Sequence, residues 1–143
     1  MSIYQKQFCV EVLTPARKVI GTDAVAVSLP AADGMIGVLA RHMPLVAMHG
    51  KGVLSIEGPD GKLREYFISG GFTQFRDNAM TVLAELCQPV AELSESDLRK
   101  ELAQAVALPD ETREQRAARA AAIELAQAKL AAMTRGRSPE GKQ

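Results

Sequence analysis

Apolar positions along the chain change period once, close to Pro89. Ahead of that point they alternate. In FCVEVL, Phe8, Val10 and Val12 alternate with Cys9, Glu11 and Leu13, the period of a strand whose two faces differ. AVAVSLP repeats the pattern through Val25, Val27 and Leu29 before a closing proline, and MTVLAEL does so through Met80, Val82, Ala84 and Leu86. Turn signals lie between such runs. Asp33-Gly34 precedes MIGVLA, GPDGK (Gly58 to Lys62) joins GVLSIE to LREYFIS as a hairpin, and RDN (Arg76 to Asn78) separates GFTQF from AMTVLAE. Many short strands spaced by about ten residues predict a two-layered sandwich or barrel.

Beyond Pro89 the period is helical. Ser94 followed by Asp97 is a variant of the helix-start box, in which a hydroxyl and a carboxylate satisfy free backbone N–H groups. Leu98, Leu102, Ala105 and Val106 then share one face. ALPD (Ala107 to Asp110) breaks this helix, and Asp110 is placed to cap a second one running through ETREQRAARAAAIELAQAKLAAM. Its stripe is Ile123, Ala126, Leu130 and Met133, and Gly136 and Pro139 end it. So short a break predicts an antiparallel helical hairpin. Alanine supplies most of its contact surface, and an alanine methyl gains far less on burial than the ~1.5–3 kcal/mol of a leucine-sized group. The hairpin is therefore expected to be held weakly, as a moving part. The chain divides into a β-sandwich over 1–88, a hairpin over 92–136 and a flexible tail over 137–143.

Composition narrows the functional classes. With 143 residues, the chain has room for one ordinary domain and too little for two full cores. Lys plus Arg and Asp plus Glu both number 17, which leaves no global positive field for nucleic acid or an acidic membrane. Cys9 and Cys87 sit in strand-like sequence and no secretory pattern opens the chain, so reduced thiols in a cytosolic protein are expected. No apolar run approaches the ~20 residues that cross a bilayer. Any work at a membrane is expected to be that of a peripheral part.

Candidate chemistry is sparse. The adjacent glycines of ISGGFTQF fail as a phosphate loop, because such a loop opens a helix and FTQF continues a strand. Gly70 and Gly71 are instead expected to permit a bulge or a close backbone approach. His42 and His49, the only histidines, have no partner at metal-ligand spacing, so no metal is expected and His42 reads as a turn or interface residue. There is no G-x-S-x-G elbow, and neither cysteine lies in a nucleophile's sequence, which predicts a noncatalytic chain. Arg113, Arg116 and Arg119 share one broad helical sector. They form either a solvated face or a surface for an acidic partner or phosphate. As cations at a helix N-terminus they oppose the macrodipole, which favours the partner reading.

In order along the chain stand VLTPARKVIG, VSLPAADGMIGVL, RHMPLV, GVLSI and ISGGFTQFRDNAMTVLAEL, followed by the two helices. This succession resembles the epsilon subunits of F-type ATP synthases over almost the whole length. The resemblance implies an all-β N-terminal domain, a flattened sandwich of two antiparallel sheets, followed by a C-terminal helical hairpin. It also implies a noncatalytic central-stalk subunit at the cytoplasmic face of a bacterial inner membrane. Such a subunit binds gamma and the ring of c subunits, and its hairpin extends toward alpha and beta to restrain ATP hydrolysis. By resemblance, Met35, Ile36 and His42 become candidate c-ring contacts, and Arg113, Arg116 and Arg119 candidate contacts to an acidic segment of beta.

Two departures accompany the resemblance. The family pattern has glycine before the histidine, where this chain has Arg41, which bears on the local turn. Some members bind regulatory ATP through Ile or Leu, Asp, two residues, then Arg-Ala. LSESDLRK has Ser94 at the acidic position and Asp97 where arginine is expected, and Arg99 lies on another face, so no cofactor is expected. A free-standing sandwich module with a helical docking arm explains the composition equally well, though not the ordered landmarks.

Overall fold

A computed structural model describes residues 6–31 and 34–136. The chain separates into two units, Met1–Pro89 and Val90–Gln143. The first holds β1 (Phe8–Leu13), β2 (Lys18–Ala24), β3 (Ala26–Ala31), β4 (Gly34–Leu39), β5 (Leu45–His49), β6 (Gly52–Glu57), β7 (Leu63–Ile68), β8 (Gly71–Arg76), β9 (Ala79–Ala84) and β10 (Cys87–Pro89). Ala26 to Ser28 pair with both β4 and β6, so those strands flank β3 on opposite edges. One sheet is therefore β10-β7-β6-β3-β4 and the other β5-β8-β9-β1-β2, linked through the single pair Ala31–His49. Pairing is antiparallel throughout except that β1 runs parallel to β9. This one seam departs from the expectation of purely antiparallel sheets.

The alternation in the sequence builds the core between these sheets. Val10, Val12, Phe75, Met80 and Val82 come from one sheet and Val27, Leu29, Leu54, Ile56 and Ile68 from the other, all in one buried cluster. Phe8 and Phe75 meet edge to face at 5.4 Å, a geometry that adds to area burial.

Several expectations are refined. AVAVSLP is not one strand, because the chain bends at Val25 between β2 and β3. ISGGFTQF is not one strand either. β7 lies in one sheet and β8 in the other, and the chain changes sheets at Ser69-Gly70, beside a second crossing from β9 to β10. Ser69 N–H donates to Leu86 O (3.1 Å) and Glu85 N–H to Gly70 O (3.2 Å) across this corner. Gly71 is the demanding glycine, since a Cβ there would sit 1.9 Å from Leu83 O, whereas at Gly70 the nearest contact is an ordinary 3.6 Å. The Asp33-Gly34 signal falls partly on Asp33, outside the described residues, as do Pro139 and the 137–143 tail.

The second unit holds a 3-10 turn (Val90–Glu92), α1 (Glu95–Val106) and α2 (Arg113–Gly136). Ser94 caps α1, its hydroxyl accepting Asp97 N–H at 3.4 Å. The cap of α2 is Thr112 rather than Asp110. Thr112 Oγ1 accepts Gln115 N–H (3.1 Å), while Gln115 Oε1 accepts the N–H groups of Glu111 and Thr112 (3.0 Å each). This reciprocal box satisfies more orphan donors than a lone carboxylate two residues upstream could. Contacts between Arg119 and Val106 and between Lys129 and Glu101 establish that the helices run antiparallel. Leu98, Ala105, Ala126, Ala132 and Met133 are buried, Leu102, Ile123 and Leu130 half-buried, and Val106 is exposed despite its place in the α1 pattern.

Candidate functional site

The most prominent surface of the first unit is an apolar row on the outer face of one sheet. Pairing aligns Met48 with Phe72, Phe72 with Leu83, and Leu83 with Leu13, across four adjacent strands. Because side chains alternate between faces, these residues all point away from the core that holds Val12, Thr73 and Val82. Val46 and Met48 are each 72% exposed and Phe72 is 44% exposed. The next row, Val46, Gln74, Thr81 and Glu11, grades from apolar to charged. A cavity of about 590 Å³, open to solvent and walled by Leu13, Pro15, Met48, Phe72 and Leu83, lies along the apolar row.

His49 borders this cavity. It is 5% exposed, and neither ring nitrogen has a hydrogen-bond partner among the described residues. Burial lowers its pKa, a shift that nearby backbone groups of Leu83, Gly50 and Phe72 offset only in part. The ring is held neutral. Sequence inspection left His49 without a role and missed the row altogether. The available signal was PLVAMH, apolar at both parities although its own strand pairings are antiparallel, which marks a strand with something to cover on each face.

The Met35, Ile36 and His42 candidates lie on β4 and the loop after it. Met35 is exposed, whereas Ile36 turns inward against the core cluster. His42 is half-buried. Its ring lies T-shaped to Phe75 with centroids 5.9 Å apart, and its Nδ1 lies 2.7 Å from Met43 O. A carbonyl can only accept, so Nδ1 carries the proton. Arg41 adopts φ 65°, the left-handed conformation that glycine enters without cost. Arg41 thus keeps the glycine-type turn that the family resemblance leads one to expect.

The three arginines are not equivalent. Arg113 is exposed. Arg116 Nη1 donates to Asp110 O (3.3 Å) and Glu111 O (3.1 Å), and Arg119 Nε donates to Val106 O (3.1 Å) at the end of α1. Those two cations stabilise carbonyls that the α1 terminus and the loop leave unpaired. Arg99 pairs with Glu95 at 2.8 Å. Lys129, unremarked in the sequence pattern, is 8% exposed and reaches Glu101 at 3.4 Å.

Neither cysteine forms a disulfide. Cys9 is exposed, and burial pushes the Cys87 thiol up to about 11, so it stays protonated near neutrality. Among the described residues no group of side chains is arranged to hold a metal ion, and no helix is long and apolar enough to cross a membrane. The first unit is thus a sandwich with an exposed apolar row on one outer face, and the second is a helical hairpin.

The comparisons identify the kind. Residues 7–89 match the family described as ATP synthase, Delta/Epsilon chain, beta-sandwich domain. An ATP synthase epsilon chain from Rhodopirellula baltica is 37% identical over 121 residues, covering 85% of this chain and 94% of that one. Another, from Allorhizobium ampelinum, is 35% identical over 73% of this chain and 78% of its own. A solved mitochondrial ATP synthase from Euglena gracilis, comprising OSCP, F1 and c-ring, contains a chain with TM-score 0.78 and 25% identity, covering 93% of this chain and 84% of that one. A central stalk and c-ring structure from Tetrahymena thermophila shares the fold, with TM-score 0.62 and 13% identity over 87% and 95%. The chain belongs to the ATP synthase epsilon-chain family.

Proposed function

We propose that the chain is the noncatalytic central-stalk subunit of a proton-translocating F-type ATP synthase. It couples rotation of the c ring to catalysis by binding gamma, and restrains ATP hydrolysis through its hairpin. The apolar row Met48, Phe72, Leu83 and Leu13 carries this reading. An uncovered apolar strip with a polar margin is the anatomy of a protein interface, and gamma is the partner assigned to it. The ring is assigned to the other candidate surface, where Met35 is exposed, His42 is half-buried beside Phe75 and Ile36 packs inward on the core.

Arg113, Arg116 and Arg119 are assigned to an acidic segment of a beta subunit, with alpha adjoining. Arg113 is available at once. Arg116 and Arg119 reach a partner only after releasing their carbonyls. The hairpin acts without nucleotide, since Ser94 and Asp97 stand where the nucleotide-binding pattern has an acidic residue and an arginine. The subunit works as a peripheral part of the complex at the cytoplasmic face of a bacterial inner membrane.

Gamma binding tests the assignment. Met48→Asp combined with Phe72→Asp is expected to weaken it about a hundredfold, as loss of a hot-spot pair does. Truncation after Glu92 is expected to leave it intact. Undiminished binding by the double variant, or lost binding by the truncated chain, sinks the proposal.

A further inference from the structure

The β8–β9 turn does more than reverse the chain. Asp77 (φ 54°) and Asn78 (φ 57°) are both left-handed, the pair that a two-residue hairpin turn of matching twist requires. The Asn78 side chain then reaches two other segments. Its Oδ1 accepts Arg41 N–H at 2.7 Å, and its Nδ2 donates to Gln7 O at 2.9 Å. The amide has only one workable orientation, because a backbone N–H donates and a carbonyl accepts. One side chain thus ties the β8–β9 turn to the start of β1 and to the loop that passes from β4, in one sheet, to β5, in the other.

That loop is the segment in need of restraint. Arg41 has a Cβ and sits at φ 65°, where the Cβ crowds the following carbonyl. His42 N–H closes the turn on Leu39 O at 3.1 Å. The His42 ring rests against Phe75, one residue before the end of β8. The loop therefore meets the β8 hairpin twice, through the Asn78 amide and through the ring contact.

We infer that Asn78 is a positioning residue for the loop after β4. Its amide holds an arginine in a backbone conformation suited to glycine, and so fixes His42 over Phe75. The consequence for the c ring rests on the ring assignment proposed above.

Three substitutions separate the parts. Asn78→Gly keeps the left-handed turn and deletes the amide. Asn78→Asp keeps an acceptor for Arg41 and loses the donor to Gln7. Arg41→Gly removes the strain. Hydrogen exchange on the full chain is expected to show the Arg41 and His42 amides opening about fivefold faster in Asn78→Gly. In Asn78→Asp they stay near the parent rate. Adding Arg41→Gly to Asn78→Gly restores His42, whose own bond to Leu39 no longer works against strain. Unchanged amides in Asn78→Gly overturn the inference, and so does failure of Arg41→Gly to rescue. In reconstituted synthase, protons pumped per ATP hydrolysed should fall in Asn78→Gly and recover with Arg41→Gly. If exchange behaves as expected and pumping does not change, the positioning role stands and the ring assignment falls.

Discussion

The sandwich and the hairpin bury apolar surface in different currencies. In the sandwich, phenylalanines, isoleucines, leucines and valines interdigitate between two sheets, and Phe8 and Phe75 are among the fully buried side chains there. The buried positions of the hairpin are chiefly Ala105, Ala126 and Ala132, with Leu98 and Met133, and an aromatic ring appears nowhere in it. Each large side chain contributes about 1.5–3 kcal/mol on burial and each alanine a fraction of that. What the hairpin has in compensation is polar: two caps, the arginine bonds to its loop, and Lys129 with Glu101. The contrast teaches that the sandwich rests on large apolar groups, whereas the hairpin rests on small ones supplemented by polar contacts.

The comparison breaks most visibly at Gly71. Gly71→Ala drives a methyl into the Leu83 backbone and is expected to cost the sandwich about 4 kcal/mol or more. Gly70→Ala, with ordinary clearance, is expected to stay within about 1 kcal/mol. Urea titration of the two variants checks this. Equal effects would mean that the β8–β9 approach is looser than the geometry implies. Phe75→Ala should cost about 3–5 kcal/mol and lower the melting point of the sandwich. No single truncation to alanine among the hairpin's apolar residues is expected to match it.

A smaller effect separates the two units by chemistry. Glu101→Ala leaves the Lys129 ammonium buried without its carboxylate and is expected to cost the hairpin about 1–3 kcal/mol, whereas Lys129→Met should be neutral or stabilising. Hydrogen exchange across α1 and α2 reads both, and the sandwich amides should not move. Thr112→Ala, which removes a cap, is expected to cost about 1 kcal/mol, seen as faster exchange in the first turn of α2.

The smallest prediction concerns pH. His49 has a lowered pKa when folded, so the unfolded chain binds a proton where the folded one does not. Its stabilising contribution is full above the unfolded value near 6.5 and is lost as pH falls toward the lowered folded value. Melting curves at descending pH should show the sandwich weakening in this window, and His49→Gln should flatten that slope. A slope that persists in His49→Gln assigns the titration elsewhere.

Legibility followed how strongly each segment is constrained on its own. Strands with one buried face announced themselves: Phe8, Val10 and Val12 in β1, Met80, Val82 and Ala84 in β9. The edge strand β2 did not, since KVIGTDA pairs on one side only and is mostly exposed or half-buried. The hairpin, its break and the Ser94 cap are legible in the sequence, and so is the hydroxyl and amide spacing of TREQ that makes Thr112, rather than Asp110, the cap of α2. Arg113, Arg116 and Arg119 were grouped by spacing alone. Only the open carbonyls of the α1 end and of the loop distinguish Arg113 from its two engaged neighbours.

By itself the sequence determined the period change at Pro89, the turns at GPDGK and RDN, the alanine-rich helical pair and the family, because each of these is local or ordered along the chain. The tertiary structure alone decided that Met48, Phe72, Leu83 and Leu13 form one row, that Gly71 and not Gly70 has no room, and that Asn78 reaches Arg41 and Gln7. Each of these depends on strand register and on the meeting of segments distant in the chain. A one-residue shift in pairing would move every side chain concerned to the other face.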